Sequence, residues 1–252
     1  MTRRRRGEMS FEPIAIVGRA CVLPGALEPR ALWRGVEQGH DRIGPVPPGR
    51  WRVDPALVLT DAPGGEDDHT WTDRGGYVQG FDAVFDPGGL GVAAEELLRL
   101  DPLARWLVHC GREALRDAGC WDEDRSVVSR RTAGASVGNL SYPSASLSRY
   151  AEAVWLDRLG PGFLDGRARE LCGVEAPHPI NRFMSGLPAQ QLGQALGLRG
   201  ACFALDAACA SSLYAIKLAC DPLHDRRVDL MLAGGVNGAD DLFIHIGFCA
   251  LQ

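Results

Sequence analysis

Near its end the chain places a short apolar strand, a run of small residues and an apolar helix in direct succession, and few architectures accommodate that. Cys202-Phe203-Ala204-Leu205 reads as a buried strand, and Ala207, Ala208, Cys209, Ala210, Ser211 and Ser212 follow it. From Ala210 to Cys220 the pattern is helical and apolar nearly all round, apart from Lys217 and the two serines at its start. A helix of that kind is expected inside a protein. Val228 to Ala233 then reads as a second strand closed by Gly234-Gly235, and Asp240 to Leu251 as a further apolar run. Strands alternating with helices argue for a largely parallel or mixed sheet.

The upstream chain adds elements of the same kind. Pro13 to Gly18 (Pro-Ile-Ala-Ile-Val-Gly) reads as a strand buried on both faces, and residues 28–38 as a helix with Leu32, Trp33 and Val36 on one side. From Ile43 to Phe85 the chain is rich in Pro, Gly, Asp and Trp. It is expected to fold as short irregular pieces, with a hairpin around Arg74-Gly75-Gly76-Tyr77. The clearest helix starts at Asp101-Pro102, a side-chain cap followed by a proline whose missing N–H costs nothing there. Leu103, Leu107, Cys110, Ala114 and Ala118 give it an apolar stripe, and Gly119 a stop. Thr132 to Val137 reads as a strand ending at Gly138-Asn139, and Ala189 to Leu196 as a helix ended by Gly197. The expected fold class is α/β: a layered sandwich of helices packed on a mixed, mostly parallel sheet.

Composition narrows the function. The net charge of −5 runs against a chain that coats nucleic acid, and the one basic block, Arg3 to Arg6, reads as a solvated tail within a disordered segment 1–11. No apolar run is long enough to span a membrane, so neither nucleic acid nor membrane is an expected partner. Eight cysteines without Cys-x-x-Cys spacing, and without zinc-finger spacing to a histidine, read as reduced thiols in a cytoplasm. No metal site is expected. Glu66-Asp67-Asp68 and Asp240-Asp241 lack further ligands at set spacing, and Gly234-Gly235-Val236-Asn237-Gly238 lacks the fingerprint of a phosphate or dinucleotide loop. Ser144, Ser146 and Ser148 stand in no nucleophile elbow.

One thiol stands apart by context. Cys209 falls where a strand ends and a helix begins, and the unpaired N–H groups of a helix start favour a thiolate. Small neighbours would let a thioester reach the sulfur, and the Cys209 N–H could meet the oxygen of an attacked carbonyl. The same spacing is also compatible with one more small buried side chain.

The residues taken together resemble the N-terminal half of a β-ketoacyl synthase, the thiolase-like condensing domain of fatty-acid and polyketide synthases. The landmarks fall in family order. They are Pro13 to Gly18 with Leu23-Pro24-Gly25, then Trp51, Arg74-Gly75-Gly76-Tyr77 and Phe81-Asp82, and then Leu100-Asp101-Pro102, Arg105, Glu113-Ala114-Leu115 and Asp117-Ala118-Gly119. Gly197-Leu198-Arg199-Gly200 leads to the cysteine motif, and Ala233-Gly234-Gly235-Val236-Asn237 and Gly247-Phe248 close the match. The family's usual Asp-Thr-Ala-Cys-Ser-Ser-Ser stands here as Asp206-Ala207-Ala208-Cys209-Ala210-Ser211-Ser212. This variant, with Leu213 to Leu218 after it, Asn181 to Gly186 and Asp240 to Ile244, resembles the condensing domains of polyunsaturated-fatty-acid, enediyne and related iterative synthases.

The resemblance implies that residues 12–252 form the first half of a thiolase-like sandwich, truncated before the second. It implies Cys209 as the catalytic nucleophile of a decarboxylative condensation. No cofactor is bound; the substrates ride on the phosphopantetheine of an acyl carrier protein. It also implies a homodimer, with the strand before Cys209 near the two-fold axis, and the C-terminal half as a partner bringing two histidines and a lysine. None of the six histidines here is followed by Gly-Thr; His109 is expected to pack or to lie on the surface of its helix, and His245 is not promoted to catalyst. The alternative is a non-catalytic remnant that docks on a complete synthase.

Overall fold

A computed structural model describes residues 12–61, 68–121, 131–140, 158, 185–238 and 242–251. The basic tail, Ser144 to Ser148, Cys172, His178, Asn181 to Met184 and Asp240-Asp241 lie outside the described residues. Helices α1 (Pro29–Glu37), α2 (Ala94–Leu98) and α3 (Pro102–Asp117) precede strand β1 (Ala133–Asn139). Helix α4 (Leu187–Leu196), strand β2 (Cys202–Leu205), helix α5 (Ser211–His224), strand β3 (Leu230–Val236) and helix α6 (Leu242–Leu251) follow.

The sheet has the order β2-β1-β3, and both pairings are parallel. Every residue of β1 is buried, as a central strand covered on both faces must be. Its alternation assigns the layers. Ala135 and Val137 pack with Leu115 of α3 and with Ala189, Leu192 and Leu196 of α4. Gly138 points the other way, against the start of α5. Register carries the division across the sheet, since Ala135 aligns with Leu232 and Gly138 with Gly235. Helices therefore cover both faces of a parallel sheet, the layering expected.

Helix α3 begins as its sequence dictates: Asp101 Oδ1 accepts from the Leu103 N–H at 3.0 Å. It ends at Gly119, whose φ is +64°, and the Cys120 N–H closes onto Leu115 O at 2.8 Å. The expected stripe is displaced. Leu107, Cys110, Ala114 and Ala118 are only half-buried, whereas Val108, Arg112 and Leu115 are sealed. The reason is that α3 is wedged between two packing partners, α4 on one side and the Phe81–Phe85 region on the other. Arg112 belongs to the second contact. Its Nη1 donates to Asp86 O at 2.6 Å and Gly88 O at 3.3 Å, and Asp86 and Glu113 carboxylates balance its charge. Arg112→Met fills the same space but removes the charged hydrogen bonds to both carbonyls, each worth about 1.5–3 kcal/mol. We expect the urea midpoint of unfolding to fall by an amount equivalent to about 2–3 kcal/mol; an unchanged midpoint would show that water reaches these carbonyls.

Three expectations are corrected. Pro13 to Gly18 forms no strand: Ile16 is 84% exposed and Val17 53%. Both edges of β1 are taken by β2 and β3. The segment instead runs along the end of α3, where Gly18 abuts Ala114 and Ala118 and the Arg19 N–H meets Asp117 Oδ2 at 2.9 Å. Its apolar pattern marked two faces without naming a strand partner. Arg74 to Tyr77 forms no hairpin either; Gly75 bridges to Gly44, far back along the chain. Finally, α5 is buried on one face only, through Ser211, Ala215 and Ala219, while Leu213, Tyr214 and Ile216 are exposed.

Candidate functional site

Parallel strands deliver their C-terminal ends to one edge of a sheet. Here that edge gathers Asn139, the turn after Leu205 and Asn237. The chain steps from β1 to β2 on one side and then crosses to β3 on the other, so strand order reverses at β1. In open α/β sheets the crevice at such a reversal is where ligands bind. Cys209 lies at this edge. It occupies a single 3-10 turn, Ala208–Ala210, between β2 and the first residue of α5, and it is exposed.

The turn is tied from several directions. Asp206 Oδ1 accepts from the Ala208 N–H at 3.0 Å, and the Ala210 N–H donates to Ala207 O at 3.1 Å. Ser211 Oγ accepts from the Ala207 N–H at 2.9 Å and donates to Ala208 O at 2.7 Å. Ala208 is held at φ +48°, a left-handed conformation that costs a residue with a Cβ about 1–2 kcal/mol. Such strain persists only where the surroundings impose it, and it concentrates at functional sites.

Two glycines set the height of the turn above the sheet. A Cβ on Gly138 would lie 2.6 Å from Ser211 C, and one on Gly235 would lie 3.1 Å from Ser212 Cβ. The ends of β1 and β3 thus lack side chains where the first turn of α5 descends. Of Gly234-Gly235 only Gly235 is closely packed; around Gly234 there is open space. Ser211 departs from expectation: rather than leaving room for an acyl chain, it is buried and spends its hydroxyl on the turn. The sequence signal was weak, because a serine in a run of small residues reads first as small.

The other described thiols differ from Cys209. Burial, with Cys21 and Glu113 nearby, pushes the Cys110 thiol up to about 12. Burial also raises Cys21, beside Glu28, and Cys202. Cys120 and Cys249 are buried and Cys220 is half-buried, so Cys209 is the one exposed cysteine among the described residues.

The set-aside groups find other occupations. His109 is buried edge-on to Phe81, and burial lowers its pKa against the pull of Glu113. Lys217 reaches solvent and pairs with Asp221 at 2.6 Å. His245 lies against Trp51 and Tyr77, its Nε2 3.3 Å from Tyr77 Oη, and joins α6 to the irregular region. Thr70 Oγ1 does the same with Cys249 Sγ at 3.2 Å. Among the described residues no cluster of His, Cys, Asp or Glu could hold a metal ion. An open depression of about 620 Å³ follows β2 and the start of α4, lined by Gly186, Leu187, Gln190 and Cys202 to Ala204; it lies beside the strand that leads to Cys209, not around the sulfur.

Comparison with known proteins agrees with this geometry. The family described as "Beta-ketoacyl synthase, N-terminal domain" matches residues 11–252. A mycocerosic acid synthase-like polyketide synthase of Mycolicibacterium smegmatis is 30% identical over 226 residues, which cover 89% of this chain and 9% of the relative. A phenolphthiocerol/phthiocerol polyketide synthase of Mycobacterium tuberculosis is 32% identical over 231 residues, 89% of this chain and 11% of the relative. The chain therefore spans about a tenth of the length of these relatives. Among solved structures, the PfaC keto synthase–chain length factor superposes with a TM-score of 0.81 at 32% identity, over 94% of this chain and 26% of that one. The oxazolomycin ketosynthase domain OzmH KS7 of Streptomyces albus gives 0.71 at 26% identity, over 93% and 36%.

Proposed function

Because this chain belongs to the β-ketoacyl synthase family, through that family's N-terminal domain, we propose that Cys209 is the acyl-accepting nucleophile of a decarboxylative condensation in polyketide or fatty-acid assembly. The observation that carries the reading is the exposed thiol at a strained strand-to-helix turn on the C-terminal edge of a parallel sheet. Residues 12–252 act in this reading as the nucleophile-bearing half of the synthase.

The Cys209 thiolate attacks the carbonyl carbon of an acyl thioester carried on the phosphopantetheine of an acyl carrier protein. Negative charge moves to the carbonyl oxygen, where the Cys209 N–H donates to it. The tetrahedral species collapses, the carbon–sulfur bond to phosphopantetheine breaks, and that thiol leaves with a proton. A malonyl thioester on a second carrier then loses carbon dioxide, and the electron pair of the broken bond attacks the acyl-cysteine carbonyl. The new carbon–carbon bond expels the cysteine sulfur and lengthens the chain by two carbons. The intermediate splits one difficult bond formation into two easier steps. Two histidines and a lysine from the C-terminal half of the synthase support these steps, the histidines stabilising charge on the malonyl thioester oxygen as carbon dioxide leaves. The reaction belongs to the cytoplasm, where thiols stay reduced; among the described residues no helix is long and apolar enough to cross a membrane. The assembly is a homodimer with β2 near its axis.

The test is to incubate the chain with a cysteine-directed condensation inhibitor or a short acyl thioester and map the adduct by peptide mass spectrometry. The adduct is expected on the peptide containing Cys209. Label spread evenly over all the thiols would refute a privileged nucleophile and favour the non-catalytic docking module.

A further inference from the structure

Ala208 is an alanine in a glycine's conformation; the Asp206 carboxylate takes its N–H, and one buried side chain bridges the main chain on both sides of it. Ser211 Oγ takes the Ala207 N–H at 2.9 Å and gives its proton to Ala208 O at 2.7 Å. Those two main-chain groups lie on opposite sides of the Ala208 N–Cα bond. Bridging them constrains the short stretch of backbone in between, in which Ala208 stands at φ +48°. The residue that this stretch aims is the next one, Cys209. Ser211 is itself immobilised: it is 7% exposed, and its backbone is seated on the bare Gly138 of the central strand. Ala210, which precedes α5, brings no side-chain cap of its own.

We propose that Ser211 is a positioning residue for Cys209: its hydroxyl clamps the left-handed Ala208 and thereby holds the sulfur in the exposed turn that precedes α5. This rests on the reading of Cys209 as the nucleophile and adds to it the device that keeps the thiol exposed at the strand-to-helix turn. Without the hydroxyl, Ala208 relaxes to an ordinary conformation, and the population with the sulfur in place falls.

The strain supplies a specific test. Glycine adopts a positive φ without the Cβ penalty, so the need for Ser211 should vanish when residue 208 is glycine. The rate of Cys209 carbamidomethylation by iodoacetamide at fixed pH is measured on the full chain by peptide mass spectrometry. Four proteins are compared: the parent, Ser211→Ala, Ala208→Gly and the double variant. Ser211→Ala is expected to slow labelling about tenfold, the weight of roughly one hydrogen bond. In the Ala208→Gly background the same change is expected to cost less than about twofold. A merely structural serine would be missed equally in both backgrounds. Equal rates for the parent and Ser211→Ala, or equal losses in the two backgrounds, overturn the proposal. If Ser211→Ala alone does not fold, the double variant must fold and label at the Ala208→Gly rate; a double variant that stays unfolded overturns it too. Iodoacetamide needs no acyl transfer, so a parent chain that fails to accept an acyl group counts against the proposed function while the four labelling rates still judge Ser211.

Discussion

Cys209→Ser is expected to lower acyl transfer from a thioester by a factor on the order of 10²–10⁴ while leaving the stability of the chain unchanged. The first half of that expectation follows from chemistry. A thiolate attacks a thioester directly, whereas a serine hydroxyl is a weak nucleophile until a positioned base removes its proton, and that assistance is worth about 10²–10⁴. The second half follows from place. Cys209 is exposed, and the hydrogen bonds that shape its turn are made by Asp206, Ala207, Ala208 and Ser211. An exposed substitution that touches none of them stays within about 0.5 kcal/mol. The measurements are acyl-enzyme formation by intact-mass spectrometry and the urea midpoint. Undiminished acylation of Cys209→Ser would move the nucleophile to another thiol. A large loss of stability would mean that the sulfur is part of the packing.

What the sequence disclosed, it disclosed where a local rule has a single outcome. Asp101-Pro102 can only start a helix well, and Gly119 and Gly197 take the left-handed φ that a helix stop needs. β1, β2 and β3 were legible as short apolar runs ending in small residues. The place of Cys209 at a strand-to-helix junction was legible for the same reason, but its exposure was not, since the same spacing suits a small buried side chain. The failures have a common cause too. Whether Ile14, Ile16 and Val17 pair as a strand depends on what lies beside them, and periodicity is silent on neighbours. Arg112 went unmarked because its partners, the carbonyls of Asp86 and Gly88, are far along the chain. The apolar run of α5 reads as interior, yet packing uses only its small residues, Ser211, Ala215 and Ala219, and leaves Leu213, Tyr214 and Ile216 outward. Small side chains face the sheet because the helix lies close on it, and the sign of that closeness is a glycine in another strand.

Gly138 makes that dependence measurable. Gly138→Ala is expected to destabilise the chain by about 1–3 kcal/mol and to depress Cys209 labelling together with it. A Cβ there would lie 2.6 Å from Ser211 C and 2.8 Å from Ser211 O, closer than folded proteins tolerate, and both are main-chain atoms that no rotamer change can move aside. The strand cannot yield, because β1 is bonded on both edges and buried along its whole length. Helix α5 must therefore lift at its first turn, and what lifts is the residue that clamps Ala208. Gly235→Ala should be milder, since its nearest contact is the Ser212 side chain at 3.1 Å. Gly35, inside α1 with open space around it, sets the opposite sign: Gly35→Ala should stabilise by about 0.5–1 kcal/mol through helix propensity alone. Urea melts of the three variants, with iodoacetamide labelling of Cys209 alongside, test the ordering. If Gly138→Ala melts like the parent and labels like it, the seating of α5 on bare strand ends does not set the position of the sulfur.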